Sequence, residues 1–243
     1  MKQLIGVASA LALLGPVCCV AGVVAEIEAN NSLATAQPVD FHFSLDFSPD
    51  IGNGTHTENT STTIPHVTVS GSGDGSFDYY SFYFPGPGTT SGFVVLDIDH
   101  SSSGFDSHVA LWSADGGLLG HNDDYDYRGG ALGSRLDHSG TTSFDSLMAT
   151  YLTAPGTYIV GVGRYAASPV TGGYIGGFIN AEVQAGDAYV LQISVEGVAV
   201  VPEPARWSLT VAGLIGLIAL ALRRQRWTAG WAASSAASPV LIR

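Results

Sequence analysis

Polar and apolar positions divide this chain into three unlike stretches. Leu4–Val24 is almost wholly apolar, Trp207–Leu222 carries no charge, and the residues between them change character every few positions. In that middle stretch, β-branched and aromatic residues alternate or cluster at Phe41–Phe47, Ile64–Val69, Phe77–Phe84, Phe93–Ile98, His108–Trp112, Thr157–Val162 and Ala188–Val195. Such lengths and a two-residue period are those of strands with one or both faces buried. Clusters of Gly, Ser, Asp and Pro, such as Ser70–Ser76, Pro85–Gly92 and Ala114–Gly117, separate them and supply turn chemistry. No segment there places apolar residues at helical spacing over a helical length, and no repeat of fixed period appears. The pattern predicts an all-β domain, a β-sandwich or jelly roll, with polar Ser48–Thr63 as an exposed loop.

The two apolar ends read differently. Lys2 gives a positive start, the apolar run follows, and Val23-Val24-Ala25 places small residues before a cut. Residues 1–25 are therefore expected to be a secretory signal peptide, cleaved after Ala25. Both cysteines, Cys18 and Cys19, fall inside it. A lipoprotein signal needs a small residue before its cysteine, and Val17 does not supply one. The mature chain is then free of thiols, disulfides and cysteine-bound metal. At the other end, Pro202 and Pro204 fix φ and remove two N–H donors, which keeps the backbone around Glu203 extended. Residues 207–222 as a helix would reach roughly 24 Å, a little short of the ~20 residues that usually span a bilayer. Trp207 and Trp227 suit the two interfaces, and Arg223, Arg224 and Arg226 hold their end in the cytoplasm. Domain organisation follows: a leader at 1–25, one domain at 26–200, a tail with a transmembrane helix at 201–226, and an extension at 227–243.

The order Pro202-Glu203-Pro204, one hydrophobic helix, then an arginine cluster resembles the PEP-CTERM sorting tag of Gram-negative bacteria. The resemblance implies an inner-membrane-anchored precursor. A membrane-embedded exosortase would cut it near Pro202-Glu203-Pro204 and pass the upstream domain to the cell surface or the extracellular polysaccharide matrix. The family's tag ends within a few residues of its arginines, whereas here Trp227–Arg243 continues.

Charge narrows the partners. Twenty of the 21 acidic residues, but only Arg128, Arg135 and Arg164 of the nine basic ones, lie between Glu26 and Val200. That span carries an excess of about 17 negative charges, which repels nucleic acid and anionic lipid. Divalent cations suit such a surface; so does the simpler need to keep a lysine-free secreted domain soluble.

Several landmarks inside the domain resemble the pre-peptidase C-terminal (PPC) β-sandwich. They are Glu26-Ile27-Glu28-Ala29-Asn30-Asn31-Ser32, Phe77-Asp78-Tyr79-Tyr80-Ser81-Phe82, Phe105–Trp112 leading to Asp115-Gly116-Gly117 and Asn122-Asp123-Asp124, Ala154–Val160, and Tyr189–Ile193. Members of that family are non-catalytic modules. The resemblance implies that calcium is bound through the acidic opening segment and an Asp pair before the Tyr-Ser-Phe strand, which map onto Glu26, Glu28, Asn30, Asn31, Asp74 and Asp78. Calcium takes six to eight oxygen ligands, and these side chains offer carboxylate and amide oxygens. In an extended segment Glu26 and Glu28 point to one face. Asn122–Asp126, with Gly129 beyond, is a second acidic candidate, although Arg128 stands where a ligand oxygen is needed; a hairpin turn is the better reading.

Other chemistry is weaker. His100, His108, His121 and His138 have no His-x-x-x-His or cysteine partner and read as scattered surface residues. No G-x-S-x-G elbow is present, and Gly71-Ser72-Gly73-Asp74-Gly75 precedes a strand rather than a phosphate-binding helix. Lys2 is the only lysine, which removes Schiff-base chemistry from the domain. Three functions stand as alternatives. The first is an exported, non-enzymatic, calcium-binding envelope or matrix protein. The second is a carbohydrate-binding module for exopolysaccharide, stacking sugars on Tyr79, Tyr80, Tyr83, Trp112, Tyr125 and Tyr127. The third is a hydrolase with an acidic site such as Asp97 and Asp99.

Overall fold

A computed structural model of the chain describes residues 22–53, 58–123, 145–176 and 180–201. The leader up to residue 21 and the whole tail, including Pro202, Glu203, Pro204, Arg223, Arg224 and Arg226, lie outside the described residues. So do Tyr125, Tyr127 and His138. Among the described residues there is no α-helix, and no helix long and apolar enough to cross a membrane.

Among the described residues twelve strands carry the fold: β1 (Val23–Ala25), β2 (Gln37–Pro38), β3 (His66–Ser72), β4 (Asp78–Phe84), β5 (Phe93–Asp99), β6 (Ser107–Ser113), β7 (Leu118–Asn122), β8 (Leu147–Tyr151), β9 (Gly156–Arg164), β10 (Ala167–Val170), β11 (Gly173–Gly176) and β12 (Ala188–Val195). One five-stranded sheet runs β1-β3-β12-β5-β8 and a second runs β2-β4-β9-β6-β7; β10 and β11 form a separate hairpin. Pairing is antiparallel except where β1 meets β3 and β2 meets β4. The all-β expectation agrees with this sandwich-like arrangement.

Alternation along the strands builds the interior. Val67, Val69, Leu96, Ile98, Leu191 and Ile193 from the first sheet share one core with Tyr80, Phe82, Phe84, Val109, Leu111, Val160 and Val162 from the second. Residues that are two apart on one strand face the same side, so their neighbours face outward. In the second sheet those neighbours are also apolar. Tyr79, Ala110, Trp112 and Ile159 form a second cluster on its outer face, covered by Ala167 and Tyr174 of the β10–β11 hairpin. The hairpin is pinned at polar points. Trp112 Nε1 donates to the Val170 carbonyl at 2.7 Å, and the Tyr174 amide donates to the Tyr79 hydroxyl at 2.8 Å. An aromatic pair buried on both faces of one strand thus explains why β4 reads as unbroken rather than alternating.

Four expectations change. Phe41–Phe47 is not a strand. Asp40–His42 is a 3-10 turn closed by the His42 amide on the Val39 carbonyl (3.1 Å), and only Phe43 of its three phenylalanines is buried. The chain must pass here from the edge of one sheet to the other, which a straight strand would prevent. Ser48–Thr63 is more folded than a polar loop. Its Ile51 is buried, the Thr60 amide donates to the Ile51 carbonyl, and the Ser48 amide donates to Ser61 Oγ. Val23–Ala25, within the expected signal peptide, pairs with β3, and Val24 reaches the core. Finally β7, β8, β10 and β11 are strands that the hydrophobic pattern does not announce; β10 contains Pro169 and pairs on one side only.

Candidate metal centre

The centre sits where the chain leaves the first sheet for the second. β1 ends at Ala25, and the Glu26 amide donates to the Ser70 carbonyl (3.0 Å), continuing the pairing one residue further. The chain then crosses irregularly to β2. Gln37 fastens the crossing with its side-chain amide: Nε2 donates to the Ala25 carbonyl at 3.0 Å, and Oε1 accepts from the Ile27 amide at 2.7 Å. Asn30, fully buried, accepts at its carbonyl from the Tyr79 amide on β4. Glu26 and Glu28 therefore converge with Asp78, the first residue of β4, because the crossing folds over the strand's end. The sequence argument placed both glutamates on one face of an extended segment; the structure brings them together at a bend instead.

One oxygen from each of Glu26, Glu28 and Asp78 lies within 4.8 Å of the others. Two ligands on opposite sides of a calcium ion at ~2.4 Å each would stand about 4.8 Å apart, so a single ion can reach all three. Glu26 Oε1 accepts from Tyr80 Oη (2.6 Å) and Asn30 Nδ2 (3.0 Å), and Oε2 accepts from the Ser72 amide (2.6 Å). Asn30 Oδ1 and Asp78 Oδ1 are buried with no hydrogen-bond partner. Unsatisfied buried oxygens cost free energy, and a cation supplies what they lack.

A row of four oxygens continues inward: Glu26 Oε1, Tyr80 Oη, Tyr189 Oη and Asp78 Oδ2, with contacts of 2.6, 2.7 and 2.8 Å. Three contacts need three protons, and the two hydroxyls supply only two. With both carboxylates ionised, Tyr80 donates to Glu26 and Tyr189 to Asp78, leaving nothing between the hydroxyls. A proton on Asp78 completes the row. Burial above all, then the charge of Glu26, with smaller contributions from Glu28 and Asp74, pushes the Asp78 pKa up to about 9 against the opposing Tyr189 hydrogen bond. Glu28 is also raised, by burial and then by Glu26 and Asp74. Excess negative charge in a poorly solvated place can be relieved by a proton or by a metal ion.

Of the six predicted ligands, Glu26, Glu28 and Asp78 meet, and Asn30 joins them through Glu26. Asp74 is exposed, outside the triad, and near enough for its charge to act on Glu28 and Asp78. Asn31 is exposed, and its side chain takes no part in this hydrogen-bond set. The sequence reading missed Tyr80, Tyr189 and Gln37. Gly71 lies directly across from Tyr189 on β3, and a Cβ there would sit 2.2 Å from Tyr189 Cζ. Gly71→Ala should therefore displace the ring, lowering stability by about 1–3 kcal/mol and the melting midpoint by several degrees. An unchanged midpoint would mean the ring yields freely and is not locked in the row.

The remaining candidates are placed as follows. Tyr79, Tyr80 and Trp112 are buried and offer no stacking face, whereas Tyr83 is exposed. Asp97 and Asp99 project from the face of β5 opposite Leu96 and Ile98, and both are buried. Asn122 ends β7 and donates to the Leu147 carbonyl (2.6 Å), while its Oδ1 accepts from the Asp123 amide (3.1 Å); the rest of that acidic stretch lies outside the described residues. The histidines are not uniformly scattered at the surface: His108 is buried and meets His121, and His100 lies 3.6 Å from Asp50. In comparisons with family models and with curated proteins, nothing matched the chain.

Proposed function

We propose that this chain is an exported, non-catalytic protein of the cell envelope or extracellular matrix, and that its PPC-like β-sandwich binds calcium at the crossing between the sheets. The observation that carries the reading is the convergence of Glu26, Glu28 and Asp78 beside two buried oxygens without partners. Oxygen-only donors, a net negative site and partial exposure through Glu28 suit a hard cation. Equilibrium dialysis of the secreted form against calcium tests it: one ion per chain is expected, and none at millimolar free calcium overturns the reading.

Export and sorting rest on the two ends. The leader carries the chain across the inner membrane, the tail helix 207–222 halts it there, and an exosortase acts near Pro202-Glu203-Pro204. The secreted form should begin ahead of Val23, because Val23–Ala25 pair with β3 and Val24 lies in the core, and should lack Trp207–Leu222; intact-mass measurement reads both ends directly. A product outside the cell that still carries Arg223, Arg224 and Arg226 would refute sorting by cleavage. Replacing Pro202, Glu203 and Pro204 together should leave precursor in the inner membrane; unchanged processing would make the helix a plain anchor.

A further inference from the structure

We infer that His108 and His121, with Asp123 lining the same cavity, hold a second cation, a borderline transition ion of the zinc class, on the outer face of the β2-β4-β9-β6-β7 sheet. It is independent of the calcium centre. β6 and β7 are antiparallel neighbours in which Val109 pairs with Asn122 and Ala110 with His121. One step further, His108 comes opposite Asp123, so all three side chains leave the same face of the sheet. His108 Nε2 and His121 Nδ1 are 3.1 Å apart, a ring-to-ring hydrogen bond that a metal would replace, with the rings at 70° to one another. Two nitrogens bound to one tetrahedral zinc at ~2.0–2.1 Å stand about 3.3 Å apart, so the observed separation needs almost no adjustment.

The surroundings fit a ligand pair better than a packing pair. His108 is buried, whereas His121 is exposed and opens onto solvent. Both rings and Asp123 line a cavity of about 460 Å³ whose far wall is Tyr165–Pro169. That leaves room for water or a further donor at the open positions of the metal. Burial, reinforced by the neighbouring His121, lowers the His108 pKa to about 4, against the weaker opposing pull of Asp123 and the Ala167 backbone. Nitrogen donors disfavour calcium and magnesium, which take oxygen, and favour zinc, copper, nickel or cobalt.

The test titrates the secreted, metal-free protein with zinc against a chelating dye, and with cobalt as a coloured stand-in. One zinc per chain at micromolar affinity is expected, with a visible cobalt band of nitrogen coordination. His121→Ala touches an exposed ring and should weaken zinc at least ~10-fold and remove the band. Glu28→Gln, in the acidic triad, should leave both unchanged. Zinc binding that survives His121→Ala, or that falls with Glu28→Gln instead, would overturn the assignment, as would millimolar or weaker affinity in the parent protein. Because calcium and zinc are read separately, failure here leaves the calcium result untouched, and the converse holds.

Discussion

Saturating calcium should raise the melting midpoint of the secreted domain by several degrees. A ligand that binds only the folded state stabilises it by RT ln(1 + [L]/Kd), roughly 2.7 kcal/mol at 100 times Kd. For a domain of this size ~1 kcal/mol corresponds to about 2–4 °C. Magnesium should do less, because it demands a tight octahedral shell and sheds water reluctantly. Sodium chloride at matched ionic strength reports only the screening of self-repulsion among the acids. Glu28→Gln combined with Asp78→Asn should remove the calcium increment. The metal-free double variant should melt no lower than its parent, since Gln at 28 removes a charge beside Glu26 and Asn at 78 needs no proton taken up on folding. Equal shifts with all three salts, or an undiminished increment in the variant, would withdraw the site.

Metal-free protein should be most stable near pH 6.5 and lose stability on both sides. Burial and the neighbouring Glu26 push the Asp78 pKa up to about 9 from an ordinary 3.8, so the native state holds a proton that the unfolded state releases. Its stabilising contribution is complete below about pH 4 and declines as pH rises through 9, by up to about 1.4 kcal/mol per unit. His66 and His108 act in the opposite sense. Burial lowers both to about 4 from 6.5; an Asp46 charge partly opposes this at His66, and His121 adds to the lowering at His108. Between 6.5 and 4 the unfolded chain takes up two histidine protons and the native chain keeps the one on Asp78. The net difference of one proton favours unfolding as pH falls, again by up to about 1.4 kcal/mol per unit. Asp78→Asn should abolish the alkaline decline and leave the acid one. Calcium should flatten the alkaline arm too, because it replaces the proton; its apparent affinity should rise about tenfold per pH unit towards 9, with one proton released per ion. A stability profile unaffected by calcium above pH 7 would separate the metal from Asp78.

Legibility in the sequence followed burial. Ala188–Val195 was readable to the residue because its apolar positions saturate a central strand with β-branched and large side chains. Phe41–Phe47 shows the limit of the same rule: its alternation is perfect, yet of its apolar residues only Phe43 is buried. The short strands β10 and β11 owe their place to Tyr174 and Ala167 covering Trp112, a tertiary need that a four-residue window does not carry. At the metal centre the acids were legible as donors by residue type. Tyr80 and Tyr189 were not, since they meet across 109 residues of chain and are brought together only by the stacking of two sheets. His108 and His121 escaped for a related reason. Their meeting follows strand register, and motif spacing for metal-binding histidines describes helices.

The place of β12 in the order β1-β3-β12-β5-β8 governs when this protein can fold. It bonds β3 on one side and β5 on the other, so the first sheet has no middle until residues 188–195 arrive. All of those pairings are long-range, and contacts far apart in sequence form slowly because the loop must close before they contribute. A chain delivered N-terminus first therefore waits, with the facing edges of β3 and β5 unpaired, for the last of its described strands. Until then the edges that β12 will occupy are open to other chains, the condition in which partly emerged β proteins aggregate. The strand nearest the C-terminal tail is thus the keystone of folding: under the export proposed above, whatever holds residue 202 back from the exterior would also hold back the closing of the fold.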